Sequence, residues 1–296
     1  MQQVLSAATV AAIGLTCKAY LHSGLCSISV RGLPYLMDAL ENPERVSGQG
    51  VLTVSNHLST LDDPLTWGIL PARTYLHSHL TRWTLGASDI MFTNPVFSAF
   101  FRKGQVIETF RGAGVHQPAV DLAIEKLRAG AWIHLFGEGK VCQSDTYKAD
   151  PQTGIARLQR FKWGIGRILM EAPHLPTIIP MWITGFDKLM PEGRRAPWKF
   201  LPRPGARLSV TFGAPLSPAA VRATMGSGTE LGLGQWHDGE VGQVKGEVDA
   251  DAEAEAEVKV RIALTELVQR AVEGLGRQVS GDLLNGSLPH HHQQRT

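Results

Sequence analysis

Between residues 51 and 215 the chain alternates short β-branched or aromatic runs with amphipathic stretches, and this alternation limits the possible folds more than any other feature. The runs at 51–54, 131–136, 176–183 and 207–212 have strand composition, and 104–111 is strand-like up to Arg111 and its two following glycines. Val120, Ala123, Ile124 and Leu127 recur at helical spacing over 118–129, with Gly130 as a stop. Leu158, Phe161, Ile165, Ile168 and Leu169 predict another helix over 155–171. Strands separated by helices predict an α/β fold, one domain with a mixed sheet covered by helices over 38–222.

The first strand delivers Asn56, His57 and, five residues after the histidine, Asp62. Asp62, Asp63 and Pro64 resemble a helix entrance, with a capping carboxylate and a proline where a first-turn N–H has no intrahelical partner. The pair then lies at the carboxyl end of a strand, where α/β folds place their sites. A carboxylate on one imidazole nitrogen fixes the tautomer and raises the basicity of the other, which can take a proton from an attacking hydroxyl. A nucleophilic serine is not indicated: Ser59 lies nearby, but the chain has no Gly-x-Ser-x-Gly elbow.

The net charge of +2, without basic runs interleaved with aromatics, argues against nucleic acid as a partner. Cys17, Cys26 and Cys142 match neither a disulfide framework nor a metal site, and no metal is expected. Gly164 and Gly166 lack the third glycine and preceding strand of a dinucleotide fingerprint.

Residues 1–37 contain Lys18 and Arg31 but no acid, and 4–17 are apolar or small. Those fourteen residues fall short of the ~20 that span a bilayer. The segment reads as a membrane-associating or targeting helix, with a helix packed on the domain as the alternative. Phe92, Val96, Phe97, Phe100 and Phe101 form an apolar stripe, readable as core or as an acyl-chain groove. Arg157, Arg160, Lys162 and Arg167 would share the outer face of the 155–171 helix, as a solvated surface or an anionic-membrane contact. The loop at 188–204 is basic, with Trp198 and Phe200, and reads as a surface loop or an interfacial anchor. Residues 223–257 are Gly-rich and then acidic, a flexible insert by composition. A helix is expected at 258–276 and a flexible tail at 277–296, including His290, His291 and His292.

Four signals occur together in an order that resembles the glycerolipid acyltransferase family: Asn56 and His57 with Asp62, Gly104 to Arg111, Phe136 to Gly139, and the strand ending near Pro180. A closer likeness rests on Asn56 to Pro64 with Trp67 to Leu70, Arg111 to Gln117, Phe136 to Val141, and Arg160 to Arg167. The resemblance covers roughly residues 30 to 217 and is stronger to the family's phospholipid-lysophospholipid transacylases than to its acyl-CoA-dependent members. It implies His57 as general base and Asp62 as its orienting partner. It also implies a substrate-binding set of Asn56, Gly104, Arg111, Glu138, Gly139 and Lys140. Arg111 would hold the lipid phosphate with its planar fork, and Glu138 and Gly139 would line the glycerol and phosphate pocket. Lys140 and Val141 stand where many acyl-CoA-dependent relatives carry an arginine.

The function so implied is CoA-independent acyl exchange between phospholipid and lysophospholipid, including cardiolipin, monolysocardiolipin and phosphatidylcholine, with no cofactor. An acyl-CoA-dependent lysophosphatidate acyltransferase and a catalytically idle lipid-binding protein are the competing readings. The resemblance further implies mitochondrial membranes, peripheral or interfacial, facing the intermembrane space. An anionic membrane surface is an expected partner, and a homo-oligomer is a possible state.

Overall fold

The computed structural model describes residues 2–226 and 250–285. In chain order, helix α1 (Gln2–His22), strand β1 (Cys26–Arg31) and α2 (Leu33–Glu41) precede β2 (Val51–Ser55) and α3 (Asp62–Thr66). Next come β3 (Arg82–Ala87), α4 (Ser88–Met91), α5 (Pro95–Lys103), β4 (Val106–Thr109), α6 (Pro118–Arg128) and β5 (Trp132–Phe136). A small hairpin, β6 (Lys148–Ala149) with β7 (Ala156–Arg157), leads to α7 (Gly164–Glu171), β8 (Thr177–Thr184) and α8 (Phe186–Leu189). The described chain closes with β9 (Ala206–Phe212), α9 (Pro218–Gly226) and α10 (Ala250–Ser280).

Seven strands form one mixed sheet in the order β1-β9-β8-β2-β5-β3-β4. The five from β8 to β4 are mutually parallel, while β9 runs antiparallel to β8 and carries β1 parallel to itself. Pro180 marks a change of partner within β8: up to it the strand pairs with β2, and from Met181 onward it pairs with β9. A proline supplies no ladder N–H, so a strand tolerates it where pairing changes hands. Both faces are covered. Leu36 and Leu40 of α2 join Cys17 and Leu21 of α1 in the core on one side, and Val120 and Leu127 of α6 join Leu264 and Val268 of α10 on the other.

Several expectations change. The helix read over 155–171 exists only as α7, because Ala156 and Arg157 form a strand and the backbone N–H groups of Leu158 and Phe161 donate to Glu273 and Gln269 of α10. Arg167 is buried, bonding Asp121, Glu171 and the carbonyl of Val115, and is no part of an outer basic face. The aromatic stripe is not core: α5, capped by Asn94, has no buried residue, and Val96, Phe97 and Phe100 are exposed. α10 begins at Ala250, within the acidic insert, and continues past 276 to Ser280. Residues 227–249 and 286–296, including the three tail histidines, lie outside the described residues.

The 1–37 segment is not separate from the domain. β1 belongs to the sheet, and α1 packs on it with Cys17 and Leu21 buried and the Lys18 ammonium donating to the Leu70 carbonyl at 3.0 Å. By length and composition alone, residues Gln3–His22 also suffice to cross a membrane.

Candidate active site

The carboxyl ends of β2, β3, β4, β5 and β8 share one edge of the sheet, and the chain leaving β2 there carries the histidine. Asp62 makes no capping bond at the start of α3; its side chain turns back toward the strand instead. Its Oδ2 accepts the backbone N–H groups of Leu58 and Ser59 and lies 2.8 Å from His57 Nδ1. The carboxylate is fully buried and the imidazole is 18% exposed. Burial pushes the Asp62 carboxyl up, against the opposing pull of His57 and of the two backbone N–H groups. With the Nδ1 proton held by Asp62, the Nε2 lone pair is left free, and Nε2 makes no hydrogen bond among the described residues. Ser59 is buried and its hydroxyl oxygen accepts from the Leu61 N–H.

The segment after β5 clamps this histidine by its backbone. The Glu138 carboxylate accepts the His57 N–H at 3.1 Å, and the Cys142 N–H donates to the His57 carbonyl at 2.7 Å. Gln143 extends the clamp by donating to the carbonyls of Leu58 and Met190. Glu138 is therefore not an open wall of a headgroup pocket; it is 1% exposed and turned toward the protein. Burial raises its carboxyl to about 7, against the His57 N–H and the Cys142 thiol. The same burial pushes the Cys142 thiol up to about 12.

Asn56 is likewise fully buried. Its amide donates to the Ile183 carbonyl at 3.0 Å and accepts the Ile183 N–H at 2.9 Å. It replaces the ladder that β2 and β8 abandon at Pro180, so its side chain joins two strands where substrate contact was expected. Gly104 sits at the opposite end of the sheet, before β4, where its carbonyl accepts from Arg82; it is not brought to His57.

Arg111 does reach the carboxyl edge, beyond β4, with an exposed side chain 3.4 Å from Asp89. Three strands, β5, β3 and β4, lie on that side of β2, which puts Arg111 roughly 14 Å along the edge from the histidine strand at ~4.8 Å per strand. Lys140 and Gly139 are exposed at the same edge, next to the clamp, and Gly139 adopts φ 67°, a left-handed conformation that suits glycine.

Two features escaped the reading of the sequence. The Phe136 ring stacks on His57, centroids 4.0 Å apart and planes 19° from parallel. Asp63, the neighbour of Asp62, is bound by both Arg82 and the Trp67 indole. Burial acts most strongly to raise Asp63, but Arg82 together with His134 and the Trp67 indole holds the carboxyl below the usual range. The sequence signal for the first was the alternation Trp132, His134, Phe136, which sends three rings to one face of β5.

Residues 39–184, which contain the histidine pair and its clamp, match the family described as Acyltransferase. An N-acylphosphatidylethanolamine synthase of Arabidopsis thaliana is 38% identical over 199 residues, which are 66% of this chain and 65% of that protein. A tafazzin of Drosophila melanogaster is 40% identical over 173 residues, 58% of this chain and 42% of the fly protein. A taffazin of Dictyostelium discoideum is 33% identical over 215 residues, 71% of this chain and 69% of the relative. The chain thus spans less than two thirds of the plant and fly proteins. On these likenesses the chain belongs to the acyltransferase family, in the branch that includes the tafazzins.

Proposed function

We propose that the protein moves an acyl chain from a phospholipid to a lysophospholipid without coenzyme A, with His57 as general base and Asp62 as its orienting partner. The observation that carries this reading is the His57–Asp62 contact of 2.8 Å at the open edge of the sheet, with Nε2 unengaged among the described residues. The acceptor hydroxyl gives its proton to Nε2 as its oxygen bonds to the donor ester carbonyl carbon. Collapse of the tetrahedral adduct breaks the donor's ester C–O bond, and the departing glycerol oxygen takes the proton back from Nε2. Products are the acylated acceptor and a new lysophospholipid, so the exchange needs no external energy source.

Arg111, Lys140 and the exposed backbone at Gly139 are suited to phosphate groups on this edge. The family resemblance supplies cardiolipin, monolysocardiolipin and phosphatidylcholine as substrates and mitochondrial membranes facing the intermembrane space as the location. Membrane docking is supported by exposed apolar groups: Val96, Phe97 and Phe100 on α5, and Trp198 and Phe200 beside Lys199 in the loop after β8.

A second reading is favoured by the plant relative, whose name specifies acyl transfer to the amine of phosphatidylethanolamine. The same Nε2 would then receive the proton released by the attacking nitrogen. The deciding experiment offers liposomes of labelled phosphatidylcholine with either monolysocardiolipin or phosphatidylethanolamine, without coenzyme A, to the protein and to His57→Ala. Histidine-dependent transfer to the lysolipid supports the first reading, transfer to the amine supports the second, and transfer only after addition of acyl-CoA refutes both.

A further inference from the structure

We infer that His134 is a positioning residue for His57: a neutral imidazole, protonated on Nε2, that joins a directed hydrogen-bond chain ending on the Asn56–His57 peptide and steadies the Phe136 ring on which His57 stacks. The inference rests on the proposed role of His57 as base.

The parallel register of β2 and β5 sets Val51 beside Trp132, Thr53 beside His134 and Ser55 beside Phe136. These alternate positions share one face of the sheet, so a row of rings on β5 lies against a row of hydroxyls on β2. The Trp132 indole N–H donates to Thr53 Oγ1 at 2.9 Å, and Thr53 Oγ1 lies 2.8 Å from His134 Nδ1. His134 Nε2 lies 3.5 Å from Ser55 Oγ, whose hydroxyl donates to the Asn56 carbonyl at 2.9 Å.

The direction of this chain follows from the chemistry of its ends. An indole N–H only donates, so Thr53 accepts there, and its own hydrogen goes to His134 Nδ1 at 2.8 Å in preference to the Ile133 carbonyl at 3.5 Å. A carbonyl only accepts, so Ser55 spends its hydrogen on Asn56 and is left to accept from His134 Nε2. Both ends assign the proton to Nε2. The imidazolium form, with donors on both nitrogens, would have to turn the Thr53 hydrogen away from Nδ1 and onto the Ile133 carbonyl, 3.5 Å away. The groups around the ring agree: His134 is buried, and burial takes its pKa down to about 3 despite Asp63, with Arg82 and His57 adding to the fall.

The rings carry a second link. Trp67 meets His134 edge-on at 4.8 Å, and His134 meets Phe136 edge-on at 4.6 Å. Phe136 in turn stacks on His57, so the plane of the base is set from behind by a ring that His134 supports. Edge-to-face contacts of this kind favour one orientation. A general base has to meet its proton in a narrow geometry, and displacement by an ångström can cost ~100-fold in rate. His134 touches neither the Nε2 of His57 nor the open edge, so its effect passes through the peptide and through Phe136.

The test uses the full chain labelled with 15N-histidine in detergent micelles. The expected spectrum has one histidine protonated on Nε2 that does not titrate between pH 5 and 8 and disappears in His134→Phe. In the transfer assay His134→Phe keeps a ring at the site but breaks the hydrogen-bond chain, and kcat is expected to fall about tenfold with KM unchanged. A proton on Nδ1, titration in that range, an unchanged kcat, or a loss expressed in KM overturns the inference. If His134→Phe does not fold, the resonance is assigned by its coupling to the Thr53 and Ser55 hydroxyls, and the spectrum of the parent decides. Transfer that persists in His57→Ala would overturn the general-base reading and leave the His134 spectrum unaffected, so the two fail separately.

Discussion

The Glu138 carboxylate accepts the backbone N–H of His57 at 3.1 Å while sitting 1% exposed beneath it. A folded-state carboxyl raised from 4.5 to about 7 binds a proton that the unfolded chain has released. Its stabilising contribution is complete below pH 4.5 and is lost as pH rises through about 7, on the order of 3 kcal/mol over that window. Glu138→Gln keeps an acceptor for the N–H and removes the titration. Urea unfolding at several pH values should therefore show the variant gaining on the parent from pH 4.5 to 7; a constant difference would refute the assignment.

Asp62→Asn retains the shape of the side chain, and the Leu58 and Ser59 N–H groups keep its oxygen where Oδ2 stood. What is lost is the negative charge that stabilises the imidazolium formed when Nε2 takes the substrate proton. Transfer should fall by about 100-fold or more, comparable to His57→Ala, with circular dichroism unchanged. Activity near the parent's would remove Asp62 from the mechanism.

Gly166 explains a glycine that the sequence left without a purpose. A Cβ there would stand 2.1 Å from the Arg261 carbonyl, backbone against backbone where α7 crosses α10. Gly166→Ala should cost about 1–3 kcal/mol and lower the melting temperature by several degrees, read by calorimetry. An unchanged transition would mean that α10 does not pack this closely on α7.

Phe97 and Phe100 are 50% and 46% exposed, so replacing both with serine leaves the core untouched. The parent should sediment with anionic liposomes and be only partly released by high salt, because apolar insertion survives screening. The double variant should keep its melting temperature and lose the salt-resistant fraction. Equal retention of both proteins would exclude α5 from the membrane contact.

What the sequence determined by itself is local. The strands at 51–55, 132–136 and 177–184, the helix 118–128 and the His57–Asp62 pair are each set within one element or one turn, where spacing and side-chain type suffice. The tertiary structure decided everything that joins distant segments. Parallel pairing of β2 with β5 brings Phe136, Glu138 and Cys142 onto His57, about eighty residues away, and the change of partner at Pro180 employs Asn56 as a brace. Docking of α10 claims the N–H groups of Leu158 and Phe161 and so shortens the helix that periodicity had drawn over 155–171. The stripe on α5 shows the same limit from the other side: periodicity identifies an apolar face, but only the placement of neighbouring elements determines whether protein covers it.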